Sequence, residues 1–225
     1  MPLLELQNVS KHYQLGKTLI KALDEISLVV EPGEFIGVKG PSGSGKSTFL
    51  QIASLLARPT SGEILLKDQN ITSYDEVARA RLRNQELGFI FQQFNLLAKT
   101  SALENVALPL FYAGESEAAR LKKAKKMLEK VGLGDRLKNA PNQLSGGQQQ
   151  RVAIARALIN EPSIVFADEP TGNLDSKSGS EIKKILKNLH QEGKTIIMVS
   201  HEKYIGDITE RLITLKDGRI MKDET

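Results

Sequence analysis

Residues 40–48 read Gly40-Pro41-Ser42-Gly43-Ser44-Gly45-Lys46-Ser47-Thr48 and fit the pattern G-x-x-x-x-G-K-S/T. The apolar run 35–40 leads into them and the helix-periodic run 47–56 follows, so the sequence predicts a strand, a phosphate loop and a helix. Small residues let backbone N–H groups turn inward around phosphate oxygens, and the helix directs the positive end of its dipole to the same place. We expect Lys46 to bridge the β- and γ-phosphates of a nucleotide, Ser47 to place its hydroxyl on Mg²⁺, and Thr48 to lie near the α-phosphate. A glycine turn with a solvated lysine is the alternative, and the flanking strand and helix argue against it.

Two more apolar, largely β-branched runs, 164–167 and 195–199, predict strands that are covered on both faces of a parallel sheet. The helix-periodic stretch 180–190 between them implies a right-handed crossover. Residues from about 95 to 160 are predicted to be mainly helical. The fold class is therefore α/β, a nucleotide-binding core with a helical insert. The remaining predicted strands are residues 3–9, residues 26–30 and a closing hairpin with an Asp-Gly turn at 213–220.

Two carboxylates follow the apolar run 164–167 directly, Asp168 and Glu169. They are predicted at the carboxyl end of a sheet, where open α/β folds bind ligands. Asp168 would hold Mg²⁺, directly or through water, as the acidic partner of Ser47. Glu169 would orient and polarise the attacking water. A lone Asp-Glu pair is more often an exposed loop, but a phosphate loop in the same chain favours the catalytic interpretation.

A second glycine-rich stretch, Leu144-Ser145-Gly146-Gly147-Gln148, leads into the run 149–158. Ser145 is placed as a helix N-cap, and the two glycines remove side chains that would keep a phosphate off the backbone N–H groups. The stretch predicts a second anion site, although a Ser-Gly-Gly helix start taken alone is more often only a cap.

This stretch resembles the signature of ATP-binding cassette (ABC) ATPases, and the resemblance covers essentially the whole chain. It implies a Mg²⁺-dependent ATPase that hydrolyses ATP. It also implies a P-loop NTPase (RecA-like) core with an N-terminal antiparallel β subdomain and a helical insert that bears the signature. On that basis residues 1–225 form one nucleotide-binding domain, with the core at about 1–92 and 160–225 and the helical subdomain at about 93–159. The other family motifs follow in order and spacing: Gln92, Asp168-Glu169, Asn173-Leu174-Asp175 and Ser200-His201.

The family resemblance implies an antiparallel, ATP-dependent homodimer in which each signature closes on the ATP of the other subunit. Asp175 would help to couple the two sites. The residues expected to complete the nucleotide site in trans are Ser145, Gly146, Gly147, Gln148 and Asp175.

Within one subunit, the resemblance assigns Gln92 to sensing Mg²⁺ and the attacking water. Gln92 would also pass the presence of the γ-phosphate to the helical insert as a rigid-body swing. His201 would contact the γ-phosphate from the end of its strand. Tyr13 matches a position where an aromatic ring stacks on adenine, with an edge-strand tyrosine as the alternative. The implied catalytic set is Lys46, Gln92, Glu169 and His201, and the implied metal set is Ser47, Gln92 and Asp168.

Three further stretches look like the compact bacterial ATPases of lipoprotein-releasing and macrolide- or peptide-exporting systems. They are residues 81–84, 87–97 and 100–106. This branch implies an integral membrane permease partner with four spanning helices and a large external domain, and export or extraction rather than uptake. The segment 94–110 would receive the cytoplasmic element of that partner. Lys39 departs from the branch, because it puts a charge just before the phosphate loop.

Composition excludes several other classes of protein. The 225 residues include no cysteine, which excludes disulfides, thiol nucleophiles and Cys-ligated clusters. They include only three histidines, which leaves little for a zinc site. No secretory signal and no apolar run of about 20 residues is visible, so we expect a cytoplasmic chain. The family resemblance implies that it is peripheral on the inner face of the membrane. The basic run 120–126 is predicted to cover the wet face of an amphipathic helix, and with aromatics at 5% no nucleic-acid partner is expected. Two functions remain as alternatives to a transporter ATPase. One is a soluble cassette ATPase acting on ribosomes or DNA, and the other is a P-loop kinase. His12 and His190 are predicted to be surface residues.

Overall fold

The structure is a computed structural model, and it describes residues 1–201 and 205–225. Its strands are β1 (Leu4–Leu15), β2 (Thr18–Val30), β3 (Phe35–Lys39), β4 (Ser61–Leu66), β5 (Gln69–Asn70), β6 (Leu87–Ile90), β7 (Ile164–Asp168), β8 (Thr195–Val199), β9 (Arg211–Lys216) and β10 (Arg219–Glu224). Its helices are α1 (Lys46–Ala53), α2 (Glu76–Glu86), α3 (Ala102–Tyr112), α4 (Glu117–Lys130), α5 (Gly146–Leu158), α6 (Ser176–Gln191) and α7 (Ile205–Ile208), with a 3-10 turn at Pro141–Gln143. The chain divides into two compact units, residues 1–81 with 190–225, and residues 82–189. The boundaries predicted for the core and the helical subdomain stay a prediction.

The first unit contains an antiparallel sheet in the order β2-β1-β4-β5. This is the N-terminal β subdomain that the sequence predicts, but its first two strands are longer than expected. β1 continues past its apolar residues because its backbone stays paired with β2 as far as Leu15, and this pairing needs no apolar pattern. The pairing shifts register between Leu6 and His12.

The same unit carries the parallel strands that position the phosphate loop. β3 pairs in parallel with β8 on one side and with β9 on the other. The central residues of β3 and β8 are buried, which explains their continuous apolar runs. β10 turns back on β9 through Asp217 and Gly218, whose φ angles of 51° and 77° fit the predicted Asp-Gly hairpin. The carboxyl ends of β3 and β8 lead to residues 40 and 200.

The second unit contains the parallel pair β6 and β7 and the helices α3, α4 and α5. α3 begins with a capping box between Ser101 and Glu104, and those hydrogen bonds lower the pKa of the Glu104 carboxyl. On α4 the buried residues are Ala124 and Leu128, so its lysines cover the exposed face as predicted. The apolar core of the three helices includes Val106, Leu110, Leu128, Leu133, Val152 and Ile159.

Neither of the two histidines predicted at the surface is exposed. His12 is half-buried, and its Nε2 is buried without a hydrogen-bond partner. His190 has a side chain only 17% exposed, and its Nε2 lies 2.8 Å from the carbonyl oxygen of Gly33 and 3.3 Å from a Glu210 carboxylate oxygen. Its ring also packs on Phe35, with 5.6 Å between ring centres. The prediction for His190 was wrong because all three partners lie far away in the sequence. In the described part of the chain, no helix combines the length and the apolar character that crossing a bilayer requires.

Candidate active site

The phosphate loop in the first unit is held by backbone on three sides. Gly218 N–H donates to the carbonyl oxygen of Ser44 over 3.1 Å. A Cβ at Gly40 would lie 2.2 Å from the carbonyl oxygen of Leu215, and a Cβ at Gly45 would lie 2.4 Å from that of Ala22. Any larger residue at either glycine would therefore push the loop away from β2 and β9.

Two polar side chains of the loop point to an anion. Lys46 Nζ donates to the carbonyl oxygens of Gly40, over 2.8 Å, and Pro41, over 2.9 Å, so its charge lies across the loop. Ser44 is 2% exposed and its Oγ has no hydrogen-bond partner in the structure. A buried hydroxyl without a partner is costly, and a phosphate oxygen would satisfy it.

The helix that follows the loop begins without a side-chain cap. Its N-cap is Gly45, with φ 100°, so the N–H groups of the first turn are available to a phosphate group. Ser47 is exposed and Thr48 is half-buried in that turn. The donor set therefore fits the nucleotide phosphates that the sequence predicts, and Ser47 has its hydroxyl accessible to a cation.

Tyr13 and His201 also belong to the first unit. Tyr13 lies on β1 with 42% of its surface exposed, and Lys11 Nζ lies 5.2 Å from its ring centre. An aromatic face remains accessible for a base. His201 follows β8 and lines a cavity of about 470 Å³ together with Gly40, Lys39 and Thr214. The structure thus brings His201 to the first glycine of the phosphate loop.

The acidic pair lies in the second unit. Asp168 is the last residue of β7 and Glu169 follows it with a left-handed φ of 43°. Gly172 N–H donates to the carbonyl oxygen of Glu169 over 3.0 Å and closes the turn. Both carboxylates are half-buried, and both have interaction partners. In the described residues no group of three or more His, Cys, Asp or Glu side chains could hold a metal ion by itself, so a Mg²⁺ here would need oxygens from phosphate and water as well.

Gln92 contacts the segment that follows the acidic pair. Asn173 Nδ2 donates to the backbone carbonyl of Gln92 over 3.0 Å, and Gln92 Nε2 lies 3.5 Å from Asn173 Oδ1. A Cβ at Gly172 would lie 2.7 Å from Gln92 Nε2. Only a residue without a Cβ at position 172 leaves room for the Gln92 side chain where it lies. The sequence analysis assigned no role to Gly172 or to Asn173.

The stretch predicted to form a second anion site begins a capped helix, α5. Ser145 Oγ accepts from Gln148 N–H over 3.3 Å, and Gln148 Oε1 accepts from Ser145 N–H over 2.9 Å. This capping box uses the serine as an acceptor and leaves its hydroxyl hydrogen able to donate. A Cβ at Gly147 would lie 2.7 Å from Ser178 Oγ. The start of α5 can therefore lie this close to α6 only with glycine at position 147.

Asp175 caps α6. Its Oδ1 accepts from the N–H groups of Lys177 and Ser178, each over 3.0 Å, and its Oδ2 accepts from Ser178 Oγ over 2.7 Å. The hydrogen bonds from Ser178 lower the pKa of this exposed carboxyl. Asp175 thus has a local role at the helix start that the sequence analysis did not include.

Sequence reasoning also missed a buried and a half-buried side chain of α5. Gln150 is fully buried, and its Nε2 donates to the carbonyl oxygen of Pro170, next to Glu169, over 2.8 Å. Arg156 donates to two carbonyl oxygens in the segment after Gln92. Both side chains bind backbone carbonyls, which every residue carries, so no sequence pattern could have identified these partners.

Comparison with known proteins adds independent findings. A family model described as ABC transporter matches residues 23–172. The chain is 53% identical over 220 residues to an uncharacterized ABC transporter ATP-binding protein of Methanocaldococcus jannaschii, with 98% of each chain covered. It is 49% identical over 221 residues to the macrolide export ATP-binding/permease protein MacB of Chlorobaculum tepidum. That alignment covers 98% of this chain but 34% of MacB, so the chain spans about a third of that relative.

Solved structures give the same result. The chain is similar to a dimeric ATP-binding cassette in a post-hydrolysis state bound to ADP and Pi, with a TM-score of 0.90, 45% identity, and coverage of 99% of this chain and 98% of that one. A second dimeric structure, of a bacterial ABC transporter cassette, also has a TM-score of 0.90, with 46% identity.

Proposed function

The chain belongs to the ABC transporter family and is an ATPase that binds ATP and Mg²⁺, and from that premise we propose that it drives an exporter or extraction system of the lipoprotein-release or macrolide/peptide-export type. The observation that carries the proposal is the 49% identity over 98% of this chain to a macrolide export ATP-binding/permease protein. The MacB relatives support an export role because their names give macrolide export, and they support a permease partner because those names join an ATP-binding part to a permease.

In this proposal the phosphate loop binds the nucleotide. Lys46 leaves the carbonyls of Gly40 and Pro41 and bridges the β- and γ-phosphates, while the buried Ser44 Oγ gains its missing partner. The free N–H groups at the start of α1 cradle the phosphate oxygens. Tyr13 stacks on the adenine with its exposed ring.

Hydrolysis then depends on three groups around the γ-phosphate. Glu169 orients the attacking water, and Gln92 and His201 hold the reacting geometry. Ser47 and Asp168, with Gln92, would hold Mg²⁺, which would neutralise charge on the phosphate oxygens. These roles require positioning and charge stabilisation more than covalent chemistry, in keeping with the absence of cysteine from the chain.

ATP closes two copies of the chain in the proposed cycle. Ser145, Gly146, Gly147 and Gln148 of one copy meet the γ-phosphate bound by the other, and Asp175 helps to couple the sites. The donating hydroxyl of Ser145 and the bare backbone of Gly146 support this role. The dimeric cassettes among the structural relatives support the same arrangement.

The permease partner is proposed to bind segment 94–110 and the adjoining end of α3. Buried Asn105 holds this segment, because its Nδ2 donates to Thr100 Oγ1 over 2.8 Å and its Oδ1 accepts from Leu97 N–H over 2.8 Å. Leu97, Phe111 and Tyr112 are 46%, 55% and 71% exposed. Exposed apolar side chains on a segment fixed by hydrogen bonds suit contact with a cytoplasmic element of a partner. The resemblance to the export branch adds the proposal that this partner is a permease with four spanning helices and a large external domain, which would place the chain on the inner membrane face.

The test is to isolate tagged Glu169→Gln protein with ATP from solubilised host membranes and to identify its partner by mass spectrometry. The variant keeps the side-chain shape but loses most hydrolysis, so the closed dimer should retain the permease. Glu169→Gln combined with Ser145→Arg is the matched control, because it binds ATP but cannot close. A four-span membrane protein with a large external domain, lost in the control, is the expected result. Ribosomal or DNA-repair proteins would favour the soluble-cassette alternative, and a permease of another architecture would refute the branch assignment.

A further inference from the structure

The segment after Gln92 is tied to α5 by one arginine. Arg156 Nη1 donates to the carbonyl oxygen of Asn95 over 2.6 Å, and its Nη2 donates to that of Phe94 over 2.8 Å. The two bonds use two different nitrogens of one guanidinium group. The planar fork of arginine supplies two donor nitrogens in a fixed geometry for this pair of acceptors, whereas a lysine would have to reach both carbonyls from a single nitrogen on a more flexible side chain.

The two residues that accept these bonds have unusual backbone conformations. Phe94 has φ 58° and Asn95 has φ 49°, so two consecutive residues with side chains lie in the left-handed region. Such a pair persists only where its surroundings hold it. Burial lowers the pKa of the half-buried Arg156, and its hydrogen bonds to the two carbonyls satisfy donors that burial removes from water.

The same segment also touches the signature turn. The Cζ atom of Phe94 lies 3.8 Å from the position that a Cβ at Gly146 would take, and a Leu174 methyl group lies 3.3 Å from it. The Phe94 ring therefore packs at the start of α5, while Arg156 binds the Phe94 backbone from a position ten residues along the same helix. The segment is fixed to α5 at two points.

We propose that Arg156 is a positioning residue for Gln92, because it locks the Phe94–Asn95 bend to the signature helix so that Gln92 and the signature turn move as one body. The inference deepens the proposed function and rests on the role given there to Gln92. It makes Arg156 a part of ATP hydrolysis without any contact with the nucleotide. Loss of the fork frees the bend, and Gln92 then no longer holds Mg²⁺ and the water in the reacting geometry.

The test is a double-mutant cycle on ATP hydrolysis by the full chain with its dimer formed. Arg156→Lys keeps the charge and the stem but loses the fork, and Arg151→Lys is the matched control on the same helix, where Arg151 pairs with Glu181 at 2.9 Å. Arg156→Lys should lower kcat about 10- to 100-fold, in line with the effect of a displacement of about 1 Å at a catalytic group. Its ATP affinity should be unchanged, and the Mg²⁺ concentration for half-maximal rate should rise. Arg151→Lys should behave as the parent.

The decisive comparison is with Gln92→Ala. If Arg156 acts through Gln92, the double variant should have a kcat within about two-fold of Gln92→Ala alone. Multiplying losses would overturn the proposal, because they mean that Arg156 acts by another route. A loss in Arg151→Lys equal to that in Arg156→Lys would overturn it too. If Arg156→Lys does not fold, Arg156→Gln, which has one donor group for two carbonyls, replaces it in the same cycle.

The same variants distinguish failure of the role of Gln92 from failure of the role of Arg156. Gln92→Ala with the parent kcat would refute the role of Gln92 in the proposed function, and the Arg156 inference with it. Gln92→Ala with a reduced kcat, beside Arg156→Lys with the parent kcat, would refute only the Arg156 inference.

Discussion

Replacing Gly147 by alanine tests how closely the signature turn is fitted to α6. Gly147 is buried in the first turn of α5 with a negative φ, so alanine suits its backbone. The added Cβ would lie 2.7 Å from Ser178 Oγ and 2.9 Å from Ser178 Cβ. Carbon atoms without a bond between them prefer about 3.5 Å or more, so the two helix starts must separate by roughly 0.6 Å.

The magnitude follows from two opposing effects. Overpacking costs about 1–3 kcal/mol, and alanine in a helix gives back about 0.5–1 kcal/mol relative to glycine. A net loss near 1–2 kcal/mol would lower Tm by about 2–8 °C in a chain of this size. The functional effect should be larger, since a displaced signature turn meets the ATP of the other copy poorly: kcat should fall about 10- to 100-fold. ATP binding by the monomer should not change.

The assay measures ATP affinity by calorimetry, ATP-dependent dimerisation by light scattering in the Glu169→Gln background, and kcat in the parent background. Gly179→Ala is the matched control, because that buried glycine lies on α6 and its added Cβ would meet Thr171 at an ordinary 3.8 Å. Ser178→Gly is the compensating change, since it leaves the Ser178 Cα, 3.8 Å away, as the nearest atom at position 178. Ser178→Gly is also measured alone, because it removes the hydroxyl that donates to Asp175. Gly147→Ala with the parent kcat would refute the steric reasoning, and so would a double variant that dimerises no better than Gly147→Ala while Ser178→Gly alone dimerises normally.

Three shorter predictions concern other parts of the chain. Gly172→Ala should displace the Gln92 side chain, whose Nε2 would lie 2.7 Å from the new Cβ, and lower kcat at nearly unchanged Tm; no further loss is expected when it is combined with Gln92→Ala. Lys46→Ala should weaken ATP binding about 10- to 100-fold, because the phosphates lose a charge-assisted partner, and an unchanged Kd by calorimetry would contradict its role. Arg211 lowers the pKa of Asp223 by hydrogen bonding, so this carboxylate stabilises the fold above its ordinary pKa of about 3.9 and the stabilisation is lost as the pH falls through the lowered pKa. Asp223→Asn should therefore lower Tm at pH 7, and this Tm difference should shrink as the pH falls below the ordinary pKa; a Tm difference that does not change with pH would argue against this pair.

Sequence reasoning located best those elements in which every residue has the same environment, such as burial on both faces of a sheet. β3 and β8 are buried on both faces, so their apolar runs begin and end close to the observed strands. The Asp217-Gly218 turn requires left-handed backbone, and its residues indicate that directly. β1 was predicted too short, because its polar second half is held by pairing with β2 and not by burial. α1 ends at Ala53, three residues early, since Leu55 adopts a left-handed φ of 62° that no periodicity indicates.

The candidate site divides in the same way. Phosphate-binding residues need particular sizes and donors, so glycine, serine and lysine at fixed spacing identified the loop from sequence. The contacts that hold His190, Gln150 and Arg156 were missed, because each reaches a backbone carbonyl that carries no side-chain signal. For such residues the partner is set by tertiary geometry alone.

Two of these missed contacts, those of Gln150 and Arg156, start from the same helix, α5. Ser145 caps its first turn, Gln150 Nε2 holds the carbonyl of Pro170 beside Glu169, and Arg156 holds the bend after Gln92. A helix is stiff over this length, so a displacement at its start reaches all three points together. When the signature turn meets the ATP of another copy, the supports of the proposed catalytic carboxylate and of the proposed Mg²⁺ sensor move with it. In the proposed cycle, closure of the dimer and assembly of the hydrolytic geometry are therefore one event, and variants at Gly147, Gln150 or Arg156 should reduce hydrolysis while leaving the phosphate loop able to bind ATP.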